Sequence, residues 1–189
     1  MRSKHVTPRS LQRGFSLPEL IVTIAIIGLL TAVILYRYND FSNTILLTNQ
    51  AFEVALDLRE AQVFGLSVRA DAGTDFREEY GLSFEVGESS YIFFQDSGSA
   101  DPAYYDSGEE IRTIALDPRY VISAVRVDGV AQTSASVVFK RPNFDARICD
   151  TSGAGCSSGS SLEVDISPIS DSSRVRTVSI SSTGQIITN

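Results

Sequence analysis

The chain has 189 residues, of which 43% are hydrophobic and 21% charged, with a formal net charge of −7. That length suits one ordinary domain plus an extended element; the apolar share excludes wholesale disorder, and the acidity argues against a polyanion as default partner. The sole histidine is His5, so the body of the chain lacks the means for Ser-His, Cys-His or histidine-ligated metal chemistry.

The charge is unevenly spread. Residues 1–14 hold Arg2, Lys4, Arg9 and Arg13 and no acid; without them 12 basic residues face 23 acidic ones, a balance of −11. Phe15 to Leu35 then reads FSLPELIVTIAIIGLLTAVIL, 21 residues interrupted by one charge, Glu19. As a helix rising about 1.5 Å per residue it is roughly 30 Å long, the thickness of a bilayer core. The excess of positive charge before it places residues 1–14 in the cytoplasm and the rest outside. A secretory signal would be shorter and would carry small residues at a cleavage site beyond it. An uncleaved signal anchor is the plain alternative. An ionised carboxylate in hydrocarbon is costly and is generally paired and functional, which singles out Glu19.

The stretch Arg13-Gly14-Phe15-Ser16-Leu17-Pro18-Glu19-Leu20 resembles the class III signal of type IV prepilins and pseudopilins. The resemblance implies cleavage after Gly14 by prepilin peptidase, methylation of the new Phe15 amine, and assembly in which Glu19 pairs with the Phe15 amine of a neighbour. Two opposite charges buried together offset a desolvation that neither tolerates alone. Pro18 falls in the first helical turn, where its missing N–H breaks no bond. Gly28 is read as a small residue that permits close helix packing. The implied partners are other pilin or pseudopilin subunits, prepilin peptidase, inner-membrane assembly machinery and membrane lipid, with no cofactor. The implied location is a single-pass inner-membrane protein with a periplasmic or extracellular head, found in a fibre after processing.

Beyond the span, Phe41, Ile45, Phe52, Leu56, Val63 and Leu66 recur at threes, fours and sevens. This spacing predicts that the helix continues to about Ala70, with room for a break at Asn39–Thr44. The stripe is expected to pack on the head, with Glu53, Asp57 and Glu60 on the other side. The organisation is thus a leader at 1–14, a helix at 15–70 (transmembrane over 15–35, amphipathic over 41–70) and a head at 71–189.

After Asp71-Ala72-Gly73 the period changes to two. Tyr80, Leu82, Phe84 and Val86 alternate with polar or small residues, as in a half-buried strand. Further strands are expected at Ser90–Gln95, Ile111–Leu116, Val121–Val127, Ser136–Arg141, Leu162–Ile166 and Arg174–Ser181. Asp128-Gly129 suits a tight hairpin turn. A long helix packed on an antiparallel β-sheet head is an α+β arrangement, the type IV pilin fold by resemblance. The stem end Ala55–Ala61 and the closing Val178–Ile186 are similar to GspH/FimT-type minor pseudopilins. The chain has no tryptophan, whereas major secretion pseudopilins tend to carry a Trp-Gly signature.

Cys149 and Cys156 lie close together in a Gly/Ser-rich stretch without histidine. A small disulfide in an oxidising compartment is the preferred reading, and two free thiols the alternative. The loop from Asp96 to Asp101, with Asp106 and Glu109-Glu110, is rich in oxygen ligands but lacks EF-hand spacing, so no metal site is assigned. Arg174 and Arg176, two apart, would share one face of a strand. The expectation is therefore a structural subunit, a minor pilin or pseudopilin of a type IV pilus or a type II secretion pseudopilus, and not an enzyme. A DNA-binding minor pilin for DNA uptake is the alternative, although two arginines on an acidic domain give nucleic acid thin support.

Overall fold

The computed structural model describes residues 14–67, 79–96, 104–140, 142, 145–150 and 159–189. The chain divides into two compact units at Asn43/Thr44. Helix α1 (Leu17–Leu66) contributes its first part to one unit and its last part to the other. It is helical throughout 39–44, where the sequence left room for a break. At its end the Ser67 N–H donates to the Val63 carbonyl at 2.9 Å, and the Ser67 hydroxyl to that of Phe64 at 3.0 Å. Both bonds satisfy carbonyls that a helix C-terminus otherwise leaves open. The expected extension over 68–70 lies outside the described residues.

The second unit joins the end of α1 to ten strands in two antiparallel sheets, an α+β fold. The strands are β1 (Glu79–Glu85), β2 (Ser90–Asp96), β3 (Glu110–Ala115), β4 (Tyr120–Val127), β5 (Val130–Gln132), β6 (Ser134–Phe139), β7 (Ala146–Asp150), β8 (Ser161–Pro168), β9 (Arg176–Ser181) and β10 (Ile186–Thr188). One sheet has the order β3-β2-β1-β6-β7 and the other β10-β9-β8-β4-β5. All seven expected strands are present. The sequence reading lacked β5, β7 and β10. β5 and β10 are only three residues long and β7 follows a Pro-Asn turn signal, so none of them offers a run of alternation. In the β4–β5 turn both Asp128 (φ 50°) and Gly129 (φ 78°) are left-handed, the backbone of a two-residue turn that matches the twist of its strands.

Inward residues of both sheets form one core with α1, including Leu82, Phe84, Tyr120, Ile122, Val137, Phe139, Leu162 and Ile166. The helix contributes Leu47, Ala51, Val54, Leu58 and Ala61, at alternating steps of four and three, and Gly65 continues the series. This corrects the expected stripe. Ile45, Phe52, Leu56 and Val63 face outward, with Leu56 68% exposed. Asp57 and Glu60, expected on the far side, instead meet Arg112 of β3. The inner face uses alanine and glycine because the helix lies close against the strands, while the larger side chains sit outside.

Candidate functional site

In the N-terminal unit Gly14, Phe15 and Ser16 are non-helical and α1 starts at Leu17. The Ser16 carbonyl accepts the Leu20 N–H at 3.1 Å, the first turn of the ladder. Pro18 is the second helical residue, where no donor is needed. Glu19 lies in that first turn, the end where aligned peptide dipoles favour negative charge.

From Leu17 to Tyr36 the helix is long and apolar enough to cross a bilayer, and none of it is buried. Leu17, Ile24, Leu29 and Ile34 are all exposed, so no side of it is packed within the unit. Nothing lies within 4 Å of a Cβ built on Gly28. The Thr23 hydroxyl donates to the Leu20 carbonyl and that of Thr31 to the Ile27 carbonyl, each at 2.8 Å. A polar group with an internal partner costs little in an apolar setting.

In the head, the end of α1 is tied to both sheets by polar contacts that the sequence reading missed. Gln50 Oε1 accepts the Asp117 N–H at 2.9 Å, and buried Gln62 donates to the Gly184 carbonyl at 3.3 Å. The Tyr91 hydroxyl donates to Asp57. Burial and then that carboxylate push the Tyr91 phenol well above its usual range. Arg112 lies 4.9 Å over the Phe93 ring while bonding Asp57 and Glu60. Acids at positions 57 and 60 opposite an arginine on an edge strand have no sequence-local signature.

The other singled-out residues are spread over the head. Arg174 precedes β9 and pairs with Asp171 at 3.1 Å, whereas Arg176 opens β9 and donates Nε–H to the Thr48 hydroxyl of α1 at 3.2 Å. The expected strand at Arg174–Ser181 is therefore shorter, and the two arginines have different surroundings. Cys149 is fully buried in β7; Cys156 lies outside the described residues, as does most of the acidic loop from Asp96 to Asp101. Lys140 pairs with buried Glu79, which Arg147 also reaches at 3.0 Å.

Comparison with curated proteins and with solved structures finds no match. Residues 9–35 do match the family described as the prokaryotic N-terminal methylation motif, a segment that contains Gly14, Phe15, Pro18, Glu19 and most of the exposed span. That motif, on an N-terminal apolar helix joined to an α+β head, supports a type IV pilin-like or pseudopilin character for the chain.

Proposed function

We propose that the chain is a minor, GspH/FimT-like subunit of a type IV pilus or a type II secretion pseudopilus, structural rather than enzymatic. It is cleaved after Gly14 by prepilin peptidase on the cytoplasmic side, methylated on Phe15, and held as a single-pass inner-membrane protein until assembly. The methylation-motif match at residues 9–35 carries this reading. The wholly exposed apolar span supports it, because so much exposed apolar surface calls for lipid or protein cover. The outward stripe Ile45, Phe52, Leu56 and Val63 gives the same helix a second apolar face beyond the span.

Within that fibre Glu19 meets the Phe15 amine of the neighbouring subunit and sets register. Pro18 serves as the pre-set first turn. The head lies in the periplasm or outside the cell, where Cys149 pairs with Cys156. Nucleic acid is left out of the reading, since Arg174 is engaged by Asp171 and Arg176 is turned to α1.

N-terminal sequencing and intact mass of the membrane-associated protein test the proposal. A chain beginning at N-methylated Phe15 supports it. A retained Met1, or cleavage beyond the apolar run, overturns it. Glu19→Ala is expected to be cleaved normally but to enter fibres poorly, and normal incorporation would remove the pairing role.

A further inference from the structure

The first sheet has a second face, turned away from α1. Ser83 and Glu85 of β1 and Ser90 of β2 alternate with the core residues Leu82, Phe84 and Tyr91, so they project to the side away from α1. Tyr104 and Tyr105 cover part of this face. Tyr105 stands edge-on to Phe94 with centroids 5.6 Å apart, and the Tyr104 hydroxyl lies 3.4 Å from that of Ser134. Both rings pack on a small buried cluster of Phe94, Val138 and Cys149, which gives them a fixed seat.

Between the tyrosines and the strands lies a cleft of about 290 Å³. Glu85 and Glu88, at the β1–β2 turn, help to line it, together with the Ser83 and Ser90 hydroxyls. Among the described residues no lysine, arginine or histidine lines it. Both carboxylates are exposed, and among the described residues neither has a cationic partner. Many acids elsewhere in the head have a partner: Asp57, Glu60, Glu79, Asp117, Glu163, Asp165 and Asp171 sit against an arginine or lysine, and Glu53, Glu110 and Asp128 accept from neutral polar groups.

Two like charges at one cleft repel each other, and a cation placed between them relieves that repulsion. The face of a tyrosine ring attracts an alkylammonium or guanidinium by about 0.5–2 kcal/mol, depending on desolvation. Hydroxyl oxygens accept the N–H donors of the same group. An anion is repelled, and a neutral ligand gains nothing from the net charge. The volume lies at the small end of ligand pockets, which run from roughly 300 Å³ upward, and so suits one basic group rather than a large ligand.

We propose that this cleft binds an alkylammonium or guanidinium group, as presented by a lysine or arginine side chain of a partner protein or by a free polyamine. The test titrates the full-length chain in detergent micelles with N-acetyl-lysine methylamide, N-acetyl-arginine methylamide and putrescine, followed by backbone chemical shifts. Saturable shifts at Ser83, Ser90 and Tyr104 are expected. The double variant Glu85→Gln, Glu88→Gln weakens binding about tenfold with its melting temperature essentially unchanged, and Tyr104→Leu weakens binding about fivefold. Tighter binding of the blocked amino acids points to a side chain as the source, and tighter binding of putrescine to a polyamine; either supports the chemistry. Equal shifts with uncharged N-acetyl-norleucine methylamide, filling of the cleft by calcium chloride alone, or no saturable response would each overturn it.

Discussion

Gly65 of α1 lies so close to Phe139 of β6 that a Cβ on the glycine would fall 2.9 Å from the Phe139 Cβ and nearer still to its carbonyl oxygen. The closest neighbour is backbone, which cannot swing aside as a flexible side chain can. Gly65→Ala gains about 1 kcal/mol of helix propensity, but overpacking a tight core costs about 1–3 kcal/mol. A net loss is expected, read as a lower melting temperature of the full chain in detergent. A higher melting temperature would mean that the helix rides further from the sheet.

Two leucines two residues apart separate the helix faces. Leu58 is 1% exposed and Leu56 68%. Leu58→Ala is expected to cost about 2–5 kcal/mol, whereas Leu56→Ala leaves the stability of the head within about 0.5 kcal/mol. Chemical denaturation of the two variants decides the matter. Equal losses would restore the outward stripe to the core.

Tyr91 supplies an alkaline signature. Its phenol is raised by burial and by Asp57, so the neutral form is favoured in the fold. The stability it adds is fully present below about pH 10, the ordinary tyrosine value, and is lost as pH rises towards the folded value. In a spectrophotometric titration of the seven tyrosines, Tyr91 should ionise only with unfolding. Tyr91→Phe should remove that late step. A Tyr91 that titrates in the ordinary range within the folded protein would show that neither burial nor the Asp57 contact holds its proton.

At the acid end, Arg119 bonds Asp117 through its side chain and backbone and lowers the carboxyl to about 2. A depressed carboxyl contributes stability that is present above about pH 4 and is lost as pH falls to about 2. The pair is exposed, so the effect is small. Asp117→Asn should raise the midpoint of acid unfolding slightly and leave neutral-pH structure intact, since the Asp117 N–H still reaches Gln50. A lower midpoint would contradict the assignment.

Asp128 does two jobs in the β4–β5 turn. It adopts a left-handed backbone, and its Oδ1 accepts from the Ser160 N–H at 2.8 Å, the Ser160 hydroxyl at 2.7 Å and the Ser161 N–H at 2.9 Å. Asparagine tolerates that backbone and keeps an acceptor, whereas alanine does neither. Asp128→Ala should therefore be less stable than Asp128→Asn by about 1–2 kcal/mol. Equal melting temperatures would mean that the serine contacts carry no weight.

Local features were the legible ones. Glu19 inside an apolar run, the Gly14-Phe15 step before it and the two-residue periods of β1 and β4 are each written within a few residues. The Asp128-Gly129 turn is local in the same way. What stayed hidden depends on distant partners. The choice between two apolar stripes on α1 is one example, because ranking large side chains first picked Phe52, Leu56 and Val63 over Ala51, Ala61 and Gly65. Only the approach of Phe139, far away in sequence, makes small residues the inner ones. The ties from Asp57 to Tyr91 and Arg112 are hidden for the same reason, as is the cleft under Tyr104, whose walls come from separate strands and a loop.

Thr23 and Thr31 bear on how the N-terminal helix can change its surroundings. Both hydroxyls between Leu20 and Leu35 are returned to carbonyls of their own helix, so neither depends on what lies outside. Acyl chains can be exchanged for neighbouring side chains without remaking a hydrogen bond anywhere along that stretch. Glu19 is the exception, since its carboxylate needs a partner that the apolar stretch of its own helix does not provide. In the proposed passage from bilayer to fibre, Glu19 is therefore the residue of this stretch that has to find a new partner, while Thr23 and Thr31 carry theirs with them.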